Sequence, residues 1–270
     1  MITLRTLLLI LIGIYLVVLI TAIYFSEQLI FLPQPAGYRD SAAVLKLTSA
    51  GGAKISAIYL ANPAAIFTVL FSHGNAEDIG YDTPLLEQIR DAGFSVFAYD
   101  YQGYGTSEGR PTEQHVYDDE DAAYNYLVQT MRIAPSRIIA FGRSVGTGPA
   151  TDLTSRRPVA GLILQSPFTT AFRVMTRVSV LPFDRFNNLR KISKVHCPVL
   201  VIHGTRDTVI NVEHGRELFA AANEPKQSLW VEGANHNDVE IVAGSQYTDS
   251  LRAFANFIQR WQSDSGSRNH

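Results

Sequence analysis

The chain has 270 residues, a net charge of −2 at neutral pH and one cysteine. The near-neutral balance, with a pI near 6.4, excludes bulk electrostatic binding to nucleic acid. A lone Cys197 ahead of a proline and an apolar run excludes an intrachain disulfide and reads as an inert core thiol. No spacing fits a zinc site, an EF-hand or a dinucleotide fingerprint, so neither a metal nor a cofactor is expected.

The first element is residues 7–25, an apolar run without a charge. At helical rise it reaches about 28 Å, close to the roughly 30 Å hydrocarbon core of a bilayer. It exceeds the apolar stretch of a signal peptide, about 7–15 residues, and Thr21-Ala22-Ile23-Tyr24-Phe25-Ser26 offers no Ala-x-Ala cleavage site. Tyr24 and Phe25 suit the membrane interface. Residues 1–32 are therefore expected to form a single-pass anchor and linker, ended by Pro33 and Pro35. Arg5 before the span and Glu27 after it place the N-terminus in the cytoplasm and the remainder on the extracytoplasmic side. Residues up to about Leu32 should be removable without harm to the rest.

Residues 33–262 are expected to form one α/β domain. Runs near 44–47 and 55–60 suit an antiparallel edge. Strands beginning near Ile66, Ser95, Arg137, Val159, Pro198 and Ser228 alternate with helical stretches near 83–92, 113–130, 145–156, 212–222 and 247–260. That rhythm predicts a mostly parallel central sheet with helices on both faces. Residues 168–195 interrupt it as a small cap. Phe168, Phe172, Val174, Met175, Val178, Val180, Leu181, Phe183 and Phe186 lie there beside Arg173, Arg177, Arg185, Arg190, Lys191 and Lys194. This pattern reads as an amphipathic helix with a solvated basic face, or as an acyl-binding roof whose basic face meets anionic headgroups. The small polar tail, residues 263–270, should be frayed.

The chemistry gathers on the loops that follow the strands. Gly142-Arg143-Ser144-Val145-Gly146 directly follows the apolar run Ile138-Ile139-Ala140-Phe141, which matches a nucleophile elbow, a strand-to-helix turn that lifts a serine hydroxyl above the sheet edge. A serine needs an imidazole to take its proton, and the imidazole needs a carboxylate to fix its tautomer. In such a fold both partners follow the serine, acid first. Asp207 comes after Val199-Leu200-Val201-Ile202-His203-Gly204, and His236 after Leu229-Trp230-Val231-Glu232. Ser144, Asp207 and His236 are thus the expected triad. The Val145 N–H at the elbow and the Asn75 N–H in Ser72-His73-Gly74-Asn75-Ala76 are the expected oxyanion donors. His203 reads as a structural strand end and His73 as a residue that shapes its turn. His115, His196 and His214 fall in linker-like positions, Asp238 in a loop or cap, and Asp100 reads as a buried structural acid.

With Tyr99-Asp100-Tyr101-Gln102-Gly103-Tyr104-Gly105 and Trp230-Val231-Glu232-Gly233-Ala234-Asn235-His236-Asn237-Asp238, these blocks resemble an α/β-hydrolase of the serine-hydrolase type over residues 44–261. The chain is most similar to the membrane-tethered branch that includes the protein depalmitoylases. The N-terminal cysteine cluster carried by the eukaryotic depalmitoylases is missing here. The resemblance implies the α/β-hydrolase fold, the triad and an acyl-enzyme. It also implies an acyl-chain small molecule, a lipid or an acylated protein as substrate. A peptidase or amidase on the same triad, or a catalytically silent binding scaffold, would use the same framework.

Overall fold

The computed structural model describes residues 3–176 and 181–267, so Arg177, Val178 and Val180 of the expected roof and residues 268–270 of the tail lie outside it. A long helix α1 (Leu4–Ile30) leads into β1 (Leu45–Thr48), β2 (Lys54–Leu60) and β3 (Thr68–Ser72). Then come α2 (Thr83–Asp91), β4 (Ser95–Tyr99), α3 (Glu113–Asn125), β5 (Ile138–Arg143), α4 (Thr147–Arg156) and β6 (Gly161–Gln165). Two short helices follow, α5 (Ala171–Thr176) and α6 (Asn188–Ile192). The chain continues through β7 (Val199–Gly204), α7 (Val212–Ala221), β8 (Lys226–Val231), α8 (Val239–Ala243) and α9 (Ser245–Ser267). Because α9 stays helical to Ser267, the tail expected to fray from residue 263 keeps its helix for five residues.

Among the described residues eight strands form one sheet in the order β1-β2-β4-β3-β5-β6-β7-β8. The pairs β1/β2 and β2/β4 are antiparallel, and the remaining neighbours are parallel. Alternation along each strand feeds two cores, as a period of two requires. Val69, Phe71, Ile139, Phe141, Ile163 and Ile202 face a layer with Leu86 and Ile89 of α2, Val239 of α8 and Leu251, Phe254 and Ile258 of α9. Leu70, Ile138, Leu162 and Val199 turn the other way, toward Val116 and Ala123 of α3, Leu153 of α4 and Leu218 of α7. Coverage on both faces explains why the central parallel strands β3, β5, β6 and β7 are mostly apolar. From β3 the chain crosses to β4 on one side and later returns to β5 on the other. The resulting switch point leaves a crevice beyond the carboxyl ends of β3 and β5, where open α/β sheets bind their ligands.

Helix α1 is long and apolar enough, by length and composition, to cross a membrane. Thr3 caps it by accepting from the Thr6 N–H at 3.2 Å, and it outlasts the apolar run by five residues, to Ile30. That last stretch belongs to the folded body. Ser26 and Phe31 are buried, Glu27 Oε1 accepts from the Glu113 N–H at 3.2 Å, and Arg185 donates to Ser26 Oγ at 3.2 Å. Residues 26–31, expected to belong to the anchor and linker, thus pack on the domain. Glu27 and Gln28 are good helix formers and carry the helix on until it meets the domain.

The cap is two short helices joined by irregular chain, where the sequence pattern predicts one amphipathic helix. Much of its basic character is spent on internal pairs. Arg173 bonds Glu217 at 2.8 Å, and Lys191 pairs with Asp152 at 2.7 Å while lying over the Tyr117 ring. Side chains held this way are not a free cationic face for headgroups.

Candidate active site

Ser144 sits immediately after β5 with φ 51°, a left-handed backbone that a serine rarely adopts. Two close approaches make this turn possible. A Cβ on Gly142 would strike the Gly146 carbonyl, and one on Gly146 would strike the Ser72 carbonyl at the end of β3. Glycine is required at both positions because the turn folds back on itself and against the neighbouring strand. The same contact brings the elbow against the loop that carries His73, Gly74 and Asn75.

The three residues expected to act together are brought together. His236 Nε2 lies 2.9 Å from Ser144 Oγ, and His236 Nδ1 lies 2.7 Å from Asp207 Oδ2. A carboxylate partner places the proton on Nδ1, which leaves Nε2 free to accept from the serine hydroxyl. Asp207 Oδ1 accepts from the Val209 and Ile210 N–H groups at 2.9 and 2.7 Å. Burial alone would raise the Asp207 carboxyl, but hydrogen bonds from His203 and His236 outweigh it and hold the group well below the usual carboxylate range. Asp207 is thus an ionised partner throughout the neutral range.

Several supporting residues were not apparent from sequence. Buried His203 donates from Nε2 to the Ile210 carbonyl at 2.9 Å, with Asp207 Oδ2 at 3.2 Å from the same nitrogen, so this strand-end histidine braces the acid. Asn235 Oδ1 accepts from the Thr208 and His236 N–H groups at 2.9 and 2.8 Å and joins the acid loop to the base loop. Asp238 accepts from the Asn235 N–H at 2.6 Å and stays a loop residue. Asp100 is buried and accepts from Tyr38 and from the Ile79 N–H. Burial pushes its carboxyl up to about 7 against those hydrogen bonds. His73 is fully buried, and loss of solvation pushes its imidazole down to about 4. It is a neutral turn residue, with its ring 4.1 Å from that of Tyr101. His214 Nδ1 lies 2.8 Å from Thr169 Oγ1. Burial pushes the Cys197 thiol up to about 12, consistent with an inert group.

The two backbone donors leave neighbouring strands, because Ser72 of β3 is in register with Gly142 of β5. The Asn75 N–H has no acceptor among the described residues. Behind the elbow, Arg143 turns to the opposite side and bonds Glu77 at 2.9 Å and Asp82 at 3.3 Å, while Glu77 also accepts from the Gly74 N–H at 2.8 Å. This buried ion group fixes the base of the loop that carries Gly74 and Asn75. A cleft of about 610 Å³ is lined by this ion group together with Asn75, Tyr81, Asn237 and Glu240. An apolar groove of about 330 Å³ runs between Val18, Ala22 and Leu29 of α1 and Phe172, Met175 and Phe183 of the cap. Among the described residues no group of three His, Cys, Asp or Glu side chains could hold a metal ion.

Known proteins share this framework. Residues 63–189 match a family described as serine aminopeptidase, S33. Alpha/beta hydrolase domain-containing protein 17B of Homo sapiens is 40% identical over 220 residues, 80% of this chain and 76% of that protein. Protein 17C of Mus musculus is 43% identical over 196 residues, 71% of this chain and 60% of that relative. Among solved structures, an esterase of Pyrococcus furiosus superposes with TM-score 0.71 at 19% identity, over 84% of this chain and 97% of its own. An esterase from Rhodococcus sp. gives 0.62 at 19%, over 80% and 98%. At such identities the structures speak for the fold, and the sequence relatives carry the assignment: the chain is a serine hydrolase of the α/β-hydrolase family that includes the domain-containing 17B and 17C proteins.

Proposed function

We propose that this is a membrane-anchored serine hydrolase that cleaves acyl esters or thioesters through an acyl-enzyme on Ser144. The observation that carries the reading is the continuous relay from Ser144 Oγ to His236 at 2.9 Å and from His236 to Asp207 at 2.7 Å. Ser144 Oγ attacks the carbonyl carbon as its proton passes to His236 Nε2. The tetrahedral oxyanion is held by the Asn75 and Val145 N–H groups. Its collapse expels an alcohol or thiol, which takes the proton from His236. A water, deprotonated by the same imidazole, then attacks the acyl carbon and frees the carboxylic acid and Ser144.

The groove between α1 and the cap supports an apolar acyl group, since its walls are aliphatic and aromatic. Its place beside α1 suits an acyl-chain small molecule, a lipid or an acylated protein reached from a bilayer. In this reading α1 crosses the membrane once, and Arg5 before it keeps the N-terminus cytoplasmic and the hydrolase domain outside. One observation favours amide or peptide hydrolysis as a second reading: the matched family is described as a serine aminopeptidase family.

The test is mass spectrometry of the intact protein and then of its peptides, after mixing with excess p-nitrophenyl ester of a long acyl chain and an early acid quench. An acyl adduct on the peptide that contains Ser144 is the expected result. Turnover with nitrophenol release and no serine adduct under any quench would contradict it.

A further inference from the structure

The end of α1 is hydrogen-bonded to the residue that offers an oxyanion N–H. The Asn75 carboxamide bridges it from both sides: Nδ2 donates to the Ile30 carbonyl at 2.6 Å, and Oδ1 accepts from the Leu32 N–H at 2.9 Å. The same Oδ1 accepts from the Tyr104 hydroxyl at 2.7 Å and from the Ala76 N–H at 3.0 Å. Tyr104 in turn accepts from the Leu32 N–H at 3.1 Å. Between the two bonded residues of the α1 end, Phe31 is buried in the core, so this stretch of chain cannot slide against the loop.

We infer that the Asn75 side chain is a positioning residue, which uses the end of α1 as a fixed rail to hold its own backbone N–H at the oxyanion. The inference rests on the oxyanion role proposed above for that N–H. Its physical basis is local. Bonds at both ends of a short carboxamide fix the side-chain torsions, and with them the orientation of the Asn75 peptide plane. Taking up the Ala76 N–H matters as well, because Ala76 holds φ 59°, an unfavourable left-handed backbone that needs outside support. With Ala76 satisfied by the side chain, the Asn75 N–H remains without a partner among the described residues. Glu77 secures the neighbouring Gly74 N–H from the other side at 2.8 Å, so the loop is held at two points around the free donor.

The experiment uses the full chain in detergent micelles with p-nitrophenyl butyrate. Active sites are counted by fluorophosphonate titration, so that kcat is expressed per reactive serine. Asn75→Ala should lower kcat roughly 10- to 100-fold, the range a misplaced catalytic group costs, with KM within about threefold of wild type. Asn75→Asp sets a carboxylate oxygen against the Ile30 carbonyl and a negative charge beside the oxyanion, so it should not recover that loss. Tyr104→Phe, which removes only a hydroxyl, should lower kcat about three- to tenfold, and it decides the matter if Asn75→Ala does not fold. Values of kcat per titrated site within twofold of wild type, in Asn75→Ala or in a deciding Tyr104→Phe, would overturn the inference. So would a loss seen only as fewer titratable sites, since that marks a purely structural role. Ser144→Ala, run in parallel, separates the two claims: residual turnover there refutes the acyl-enzyme reading itself, whereas a dead Ser144→Ala beside a normal Asn75→Ala refutes only the positioning role.

Discussion

Phe31 and Phe186 meet edge to face, with 5.9 Å between ring centroids. One residue follows the last turn of α1 and the other lies in the cap, so the N-terminal helix and the roof pack against each other. Phe168 and Tyr117 join the same ring at 6.0 and 5.7 Å.

This contact sets where the chain can be shortened. A protein that starts at Tyr24 keeps Ser26, Glu27, Ile30 and Phe31, and should retain activity on short water-soluble esters. One that starts at Pro33 loses a buried phenylalanine, which typically costs about 3–5 kcal/mol. For a domain of this size that is roughly 6–20 °C in Tm. Thermal unfolding of the two truncations, side by side, checks this. Equal midpoints would mean that Phe31 contributes nothing.

The base and the acid should differ in cost. His236→Ala should lose about as much turnover as Ser144→Ala, because triad members act as a unit. Asp207→Asn should lose about 10³- to 10⁴-fold through the wrong imidazole tautomer. Asp238→Asn should stay within about tenfold, since Asp238 only accepts from the Asn235 N–H. Steady-state kinetics on the four variants decide it. A greater loss in Asp238→Asn than in Asp207→Asn would reassign the carboxylate.

The triad was legible because each member follows an apolar run, and such runs mark strand ends whatever the long-range packing. The elbow glycines were legible for the same local reason. What stayed hidden depends on residues far apart in the chain. Asn75 and Ile30 are separated by 45 positions, and no periodicity links a loop amide to a helix end. That residues 26–31 pack on the domain was hidden as well, because hydropathy marks only where the apolar run ends at Phe25. His203 was read as structural, and its bond toward Asp207 becomes visible only once β7 and the acid loop fold back on each other. The cap broke into two helices because its aromatic residues serve several neighbours. Phe186, at φ 51°, packs on Phe31, Tyr117 and Phe168 at once, which no straight helix could arrange.

Glu120 gives a pH prediction. It is fully buried on α3, accepts from Ser72 Oγ at 3.2 Å, and its second oxygen has no partner. Burial raises its carboxyl well above the ordinary value, and the Ser72 bond opposes this only in part. A raised folded pKa means that the contribution to stability is complete below the unfolded value, near 4.5, and is lost as pH rises toward the folded value. Glu120→Gln stays neutral in both states, so it should match wild type near pH 4 and exceed it in stability at pH 8. Urea denaturation at the two pH values checks the sign. A Gln variant less stable at pH 8 than at pH 4, relative to wild type, would mean that Glu120 is ionised in the fold.

The most direct measurement is covalent labelling of the full-length protein with a fluorophosphonate probe, wild type against Ser144→Ala, followed by peptide mapping. Wild type should take up one equivalent on the peptide that contains Ser144, and Ser144→Ala should remain unlabelled while keeping its Tm. Labelling that persists in folded Ser144→Ala, or an adduct mapped to another residue of the wild type, would contradict the account.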